Sequence, residues 1–320
     1  MSKPRVLTPA TLAPATVPTF YFIGVTTGQS SIMTVFPRWA AHLGISPTIV
    51  GIDVPLDAPA EAYRDVVSFL RDDPLSLGGL VTTHKLNLFR ASRDLFDETG
   101  ESAGLLDEIS SISRRDGRLL GHAMDDVTAG LALDHIAPGE HWERTGADLL
   151  LLGAGGSSLA LTLHLHRAQR AGRPVPSSLV VTNRRPGRLE EMRRFHERIG
   201  FSIPVEYVEA PDPAHNDAAL AGLRPASVVA NATGLGKDRP GSPLTDAAVF
   251  PDGAIAWDFN YRGELVFLDQ ARAQEGRGVV PVDGWFYFLH GWTRVIAQVF
   301  DLDIPTSGPE FDALSTIALR

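Results

Sequence analysis

Apolar and polar positions along the chain follow two periods, and the changes between them mark its elements. Asp148-Leu149-Leu150-Leu151-Leu152 places four leucines in a row, the pattern of a short strand buried on both faces of a parallel sheet. The chain then turns on Gly153, Gly155 and Gly156 and enters an apolar helix through Leu159, Leu161, Leu163 and Leu165. Ser178-Leu179-Val180-Val181-Thr182 predicts the next strand, 188–198 a helix, and Val205-Glu206-Tyr207-Val208, Ser227–Asn231 and Ala254–Asp258 three more strands. Upstream, Phe20–Val25, Pro47–Val54 and Leu77–Thr83 read as strands. Helices are expected over Val35–Leu43 and Glu61–Leu70, where Ala62, Val66, Phe69 and Leu70 share one face. Ile109–Ile112 and Leu119–Asp126 flank the hairpin turn Arg115-Asp116-Gly117-Arg118, followed by a helix over Val127–Ile136 that ends at Ala137-Pro138-Gly139. Residues 285–300 are again helical and apolar, and Pro211–Asn216 and 234–243 read as loops. Strands alternating with helices predict an α/β fold with parallel or mixed sheets.

Composition narrows the class. At 320 residues, 44% hydrophobic and 21% charged, the chain has the balance of a globular protein large enough for two domains. A net charge of −9 creates no field that favours nucleic acid or an anionic membrane surface. The absence of cysteine excludes disulfides and thiolate chemistry and fits a reducing cytoplasm, the expected location. Met1–Thr19 is proline-rich without an apolar core, so no signal peptide is expected, and no apolar run approaches the roughly 18 residues of a membrane span. A small-molecule substrate is the expected partner.

The glycine turn gives the first chemical lead. Glycines between a strand and a helix let the backbone approach a pyrophosphate, which the helix's free N–H groups and positive dipole end can hold. Ser158 stands where such a motif carries its third glycine, so the pattern G-x-G-x-x-G is incomplete. The second lead lies one strand on, where Thr182 is followed by Asn183-Arg184-Arg185-Pro186-Gly187-Arg188. An NAD site would offer the ribose a carboxylate here. Three arginines suit a 2′-phosphate instead, through charge-assisted hydrogen bonds, and point to NADP.

Taken in order, these stretches resemble the shikimate dehydrogenase family over most of the chain. Gly24 to Met33 occupies the place of the family's G-x-P-x-x-x-S-x-S-P turn, and Leu80-Val81-Thr82-Thr83-His84-Lys85 matches its N-V-T-x-P-x-K segment. Glu108-Ile109-Ser110-Ser111 is similar to G-A-V-N-T, and Gly121-His122-Ala123-Met124-Asp125 to G-x-N-T-D. Gly153-Ala154-Gly155-Gly156, the arginine loop, Asn231-Ala232-Thr233-Gly234-Leu235-Gly236, Asp258-Phe259-Asn260-Tyr261 and Gly284 complete the match. The resemblance implies an N-terminal substrate domain over 1–126, with 285–320 packing back onto it, and a Rossmann-type NADP domain over 127–284. It also implies an active site in the cleft between them, and a homodimer is the assembly entertained. Cofactor contacts would come from Gly153, Ala154, Gly155, Gly156, Ser157, Asn183, Arg184, Arg185, Arg188, Asn231, Ala232, Thr233, Gly234 and Gly284. Substrate contacts would come from Ser30, Thr82, Ser110 and Tyr261.

The departures cluster at the substrate positions. Ile32 replaces the second serine of the S-x-S pair, Ser110 the asparagine of N-T, and Ala123-Met124 the asparagine-threonine before Asp125. The Thr82–Lys85 segment is one residue short and lacks its proline, and the family's late glutamine falls near His290-Gly291. A site that exchanges polar contacts for Ile, Ala and Met leaves a polyol acid unpaired, which predicts retained chemistry on a substrate other than shikimate.

For hydride transfer at a carbon–oxygen centre, Lys85 and Asp125 form the expected catalytic pair, the lysine moving the proton and the carboxylate orienting it. A neighbouring carboxylate raises a lysine's pKa while proton transfer near neutrality wants it lowered by burial, so the pair works against itself in part. Asp126 ranks second as the carboxylate, and His84 and His122 are alternative proton donors or substrate contacts. His164 and His166, two apart on a helix, point to different sides and make no metal pair. No metal site and no G-x-S-x-G elbow are expected. Trp285, Phe286, Tyr287, Phe288 and Trp292 either roof the nicotinamide or pack in the core. Two other readings stay open: a non-catalytic NADP-binding protein on the same fold, and a reductase of an amino or imino carbocyclic analogue.

Overall fold

The structure is a computed structural model that describes residues 4–237 and 239–319. The chain divides into two compact units, Met1–Met124 with Gly291–Arg320, and Asp125–His290. Residues 1–3 of the proline-rich start, Asp238 of the expected 234–243 loop, and residue 320 lie outside the described residues.

The first unit carries β1 (Val6–Leu7), β2 (Thr19–Gly24), α1 (Ile32–His42), β3 (Thr48–Asp53), α2 (Ala60–Asp72), β4 (Ser76–Val81), α3 (Lys85–Ser92), β5 (Glu98–Thr99), α4 (Glu101–Leu106), β6 (Ser111–Arg115) and β7 (Arg118–His122). Its sheet runs β1-β3-β2-β4-β6-β7-β5. The strands β1, β3, β2 and β4 are mutually parallel, and the β6–β7 hairpin runs antiparallel to β4. That arrangement brings the ends of β2 and β4, the start of β6 and the end of β7 to one edge of the sheet. Burial of every residue of β2 follows from cover on both faces. Phe20 packs on Phe36 and Phe300, and Tyr21 on Phe69.

The second unit carries α5 (Asp125–Ile136), α6 (Gly139–Thr145), β8 (Leu149–Leu152), α7 (Gly156–Arg170), β9 (Leu179–Asn183), α8 (Pro186–Ile199), β10 (Val205–Glu209), α9 (Pro213–Ala221), β11 (Val228–Asn231), β12 (Ile255–Asp258), α10 (Val266–Arg272) and β13 (Val280–Val282). The order β10-β9-β8-β11-β12-β13 is parallel throughout, a doubly wound sheet whose order reverses between β8 and β11. The four leucines of β8 divide as their pattern requires. Leu149 and Leu151 join one core with Val181, Val228 and Trp257, and Leu150 and Leu152 join the other with Val229, Ala256 and Phe267. Two helices follow, α11 (Trp285–Phe300), which starts in the second unit and ends in the first, and α12 (Pro309–Leu319). Among the described residues, no helix is long and apolar enough to cross a membrane.

The α/β reading holds for both units, with local corrections. The stretch Pro211–Asn216 is not all loop, because α9 starts within it. Asp212 caps the helix by accepting the N–H groups of Ala214 and His215, and Pro213 supplies a first-turn residue that needs no N–H partner. The expected strand Leu77–Thr83 ends two residues early, and its last residues turn into α3.

Candidate active site

Two rows of residues gather the chemistry, one at an edge of each sheet. In the second unit, Gly153 leaves β8 with φ +110, where an added Cβ would meet the Ala232 carbonyl oxygen at 3.1 Å and Thr233 Cγ2 at 3.4 Å. Only glycine enters this turn without strain. Ser158, at the third-glycine position, is fully buried and donates its hydroxyl to the Gly153 carbonyl at 2.6 Å. The serine thus ties the helix to the turn and leaves the outer surface of the turn bare. A Cβ on Gly155 would meet nothing within 4 Å, and no side chain caps the N-terminus of α7. The first N–H groups of α7 therefore face a cradle with room for an anion.

One strand away, Asn183 ends β9 and donates its side-chain amide to the Arg185 carbonyl at 3.0 Å. Arg184 and Arg185 are exposed, and among the described residues neither has a carboxylate partner. Arg188 pairs with Glu191 at 2.7 Å on the surface of α8, an exposed pair of small value that a ligand phosphate can outbid. A glycine cradle beside two unengaged guanidinium groups fits a dinucleotide with a 2′-phosphate.

On the other side of β8, the ends of β11 and β12 are joined through side chains. Asn231 and Asp258 are fully buried register partners. Asn231 Nδ2 donates to Asp258 Oδ2 at 2.9 Å, and Asn231 Oδ1 accepts the Thr233 N–H at 3.1 Å and hydroxyl at 2.6 Å. Burial raises the Asp258 pKa, against the two Asn260 donors and Asn231 that hold its charge. Gly284 lies against this bracket: its N–H donates to the Asn260 carbonyl, and a Cβ there would stand 2.2 Å from the Phe259 carbonyl oxygen. Tyr261 packs on Trp285 and Phe288. Of the other aromatics, Phe286 and Tyr287 pack on the second unit's core and Trp292 on Phe22 of the first.

In the first unit, the turn Thr27–Gln29 is pinned by Asp53 at the end of β3, which accepts the Thr27 N–H at 2.8 Å and hydroxyl at 2.6 Å. Ser30, half-buried, follows that turn, and Ile32 is fully buried at the start of α1. Thr82 leaves β4 with its N–H on the Ile23 carbonyl, and Lys85, half-buried, opens α3. Ser110 lies beside them through Val81, whose N–H donates to the Ser110 carbonyl. The buried Ser110 hydroxyl accepts the Met124 N–H at 2.7 Å, fixing the backbone one residue before Asp125. Asp125 is buried as the first residue of α5.

Three competing candidates are engaged elsewhere. His84 is 2% exposed; its Nε2 donates to the Val54 carbonyl at 2.8 Å, which leaves Nδ1 to accept from the Tyr63 hydroxyl at 3.1 Å. Burial lowers its pKa, and its two nitrogens join the end of β3 to α2, so neither is left for a substrate. Asp126 is 1% exposed and ion-paired with Arg167 of α7, a link between two helices of the second unit. His122, its pKa lowered by burial, has Nδ1 at 3.3 Å from Gln298 Nε2 of α11. His164 contacts Asp134 while His166 packs toward Phe201. Sequence reading missed Asp53 and Asp258, whose partners are set by strand register; a carboxylate closing each strand was the available signal.

No protein-family model matches the chain. The shikimate dehydrogenase (NADP(+)) of Azorhizobium caulinodans is 31% identical over 278 residues, 86% of each chain. Among solved structures, a quinate dehydrogenase from Corynebacterium glutamicum in complex with NAD superposes with a TM-score of 0.73 at 18% identity, covering 95% of this chain and 99% of that one. A 5-ketofructose reductase of Gluconobacter gives 0.68 at 15% identity, covering 95% and 98%. These two structural likenesses concern the fold alone. The sequence relationship, carried over nearly the whole length of both chains, goes further: this chain belongs to the shikimate dehydrogenase family.

Proposed function

We propose that the protein is an NADP-dependent oxidoreductase acting on a small carbocyclic hydroxy or keto compound other than shikimate. When bound, NADP(H) supplies or accepts the hydride. The chain's own part is to hold the 2′-phosphate with Arg184 and Arg185, the pyrophosphate on the Gly153–Ser157 turn, and the substrate through Ser30, Thr82, Ser110 and Tyr261. Lys85 moves the proton at the substrate oxygen, and Asp125 orients it. In this reading 1–126 with 285–320 serve the substrate and 127–284 the cofactor, in a cytoplasmic protein that works as a homodimer.

One observation carries the reading. Lys85 and Asp125 stand at the family's motif positions, with their surroundings tied by Asp53 on Thr27, His84 on Val54 and Ser110 on Met124, while Ile32, Ser110, Ala123 and Met124 stand where the family's polar substrate groups are expected. A retained catalytic pair among altered contact positions supports the same reaction on another substrate. Solved structures of the same fold, a quinate dehydrogenase and a 5-ketofructose reductase, fit a scaffold that admits more than one substrate. The test is an absorbance screen at the nicotinamide band over hydroxy and keto carbocycles, with NADP and NAD in parallel. Turnover of a non-shikimate compound with NADP is the expected result; efficient oxidation of shikimate, or equal use of NAD, overturns it. Size-exclusion chromatography with light scattering tests the homodimer.

A further inference from the structure

Building on the cofactor reading above, we infer that Asp258 is a positioning residue for the nicotinamide half of the dinucleotide, acting through Asn231 and Thr233. A doubly wound sheet holds a dinucleotide across the point where its strand order reverses, one nucleotide over each half. Here the reversal lies between β8 and β11. The arginine loop after β9 belongs to the first half, so the adenosine side falls there, and the ends of β11 and β12 belong to the second.

The polarity of the network at those two ends is fully determined. The Thr233 N–H can only donate, so the Asn231 carbonyl oxygen faces it and the Asn231 NH2 faces Asp258. Asp258 must accept on both oxygens, from Asn231 on one and from the Asn260 N–H and amide, each at 2.8 Å, on the other. Thr233 passes the order on, accepting the Leu235 N–H on its hydroxyl oxygen at 3.1 Å. Its Cγ2 closes over Gly153, the first glycine of the cradle. A carboxylate with no exposure thus sets which way one buried amide points, and that amide sets the loop facing the cofactor turn.

An amide at position 258 keeps its oxygen on the two Asn260 donors and so presents its NH2 to the Asn231 NH2. Asn231 would then flip and turn its own donors toward the Thr233 N–H and hydroxyl. In Asp258→Asn the loop loses its hold, whereas the arginine loop is untouched. Exchanging the pair, Asn231→Asp with Asp258→Asn, restores the polarity toward Thr233 and across the pair, because the carboxylate at 231 accepts from Thr233 and from the new amide at 258. The Asn231 donor to the Leu235 carbonyl gives way to a carboxylate oxygen facing it, with Asn260 still donating there, which keeps the exchanged pair somewhat below wild type.

The test compares NADPH with adenosine 2′,5′-bisphosphate, which carries the adenosine half and the 2′-phosphate alone, by fluorescence and calorimetric titration. Wild type should bind both. Asp258→Asn should weaken NADPH about tenfold or more, the equivalent of one or two net hydrogen bonds, and leave the bisphosphate within about twofold. The exchanged pair should recover NADPH binding to within about threefold. Thr233→Val, which removes only the hydroxyl, should show the same split at smaller size and serves if Asp258→Asn does not fold. Unchanged NADPH binding in Asp258→Asn or Thr233→Val, equal weakening of both ligands, or no recovery in the exchanged pair overturns the inference. Wild type that binds neither ligand overturns the cofactor reading itself, before any variant is made.

Discussion

The two sheet edges hold their loops in the same way and differ in what those loops present. At each, a carboxylate ending a strand accepts a neighbouring loop's N–H and hydroxyl, or fixes the amide that does: Asp53 on Thr27 in the first unit, Asp258 through Asn231 on Thr233 in the second. In the second unit the loops present mainly backbone, a bare glycine turn and helix N–H groups, with the exposed Arg184 and Arg185 beside them. In the first, the proposed contacts are side chains, Ser30, Thr82 and Ser110, and the departures expected from the sequence fall among and beside them. Recognition by backbone leaves few ways to change the ligand without losing the loop. Recognition by side chains on a fixed frame allows the ligand to change while the frame stays. The contrast is what the proposed function calls for, a cofactor pattern held while the substrate pattern changes.

The comparison breaks first, and hardest, if the frame carries no chemistry. Lys85→Met should cost two to four decades in kcat, roughly the contribution of a positioned acid or base, with near-native thermal melting and little change in NADP affinity. Asp125→Ala should fall in the same range, and the double variant should lose little beyond the worse single one. Steady-state kinetics on the screened substrate that show near wild-type turnover for Lys85→Met would remove the lysine from the mechanism.

Acid sharpens it next. Burial, with His166 nearby, lowers the pKa of His196 from 6.5 to about 4, so the unfolded chain takes up this proton before the folded one. Its contribution to stability is full above pH 6.5 and is lost as the pH falls toward 4, on the order of 3 kcal/mol in all. Melting curves of His196→Gln should show a flatter decline over that window, read by the loss of NADP-binding competence in the second unit. A decline as steep as wild type would mean that other groups dominate.

Smaller effects test each edge by itself. Arg184→Ala should narrow the preference for NADP over NAD about tenfold, the worth of a charge-assisted pair, as measured by titration with both dinucleotides. Ser110→Ala strands the Met124 N–H and should destabilise the protein by about 1–3 kcal/mol, with a lower Tm and a reduced kcat from a displaced Asp125. An unchanged Tm would mean that the Met124 N–H has found another acceptor.

Much of the fold was legible because it rests on local pattern. The leucine run of β8, the glycine turn and the sixteen apolar-rich residues of α11 carry their own signals, and α11 occupies the predicted 285–300. The two-residue strands β1 and β5 carry none, since two residues show no period, and they exist only as edges paired to β3 and β7. Helix α9 was hidden because Pro213 and Asp212 read equally as loop and as helix start. At the candidate site, residue identities were legible but their engagement was not. That His84 is locked between Val54 and Tyr63, or that Asp126 belongs to Arg167, depends on elements 30 and 41 residues apart in sequence. Asp258 lies 27 residues from the amide it governs.

The path of the chain has a consequence for how the protein is made. The second unit is an unbroken run, Asp125–His290, set into a first unit whose remaining part is Gly291–Arg320. The core of that first unit closes across the gap: Phe20 packs on Phe300, Phe22 on Trp292, and Trp39 donates to the Leu314 carbonyl at 2.7 Å. During synthesis the opening segment therefore waits on the ribosome with Phe20, Phe22 and Trp39 uncovered while the inserted unit emerges and can fold whole. The unit begun first is finished last, and a chain held while Gly291–Arg320 is still in the ribosomal tunnel would display a folded inserted unit together with an open, aggregation-prone sheet.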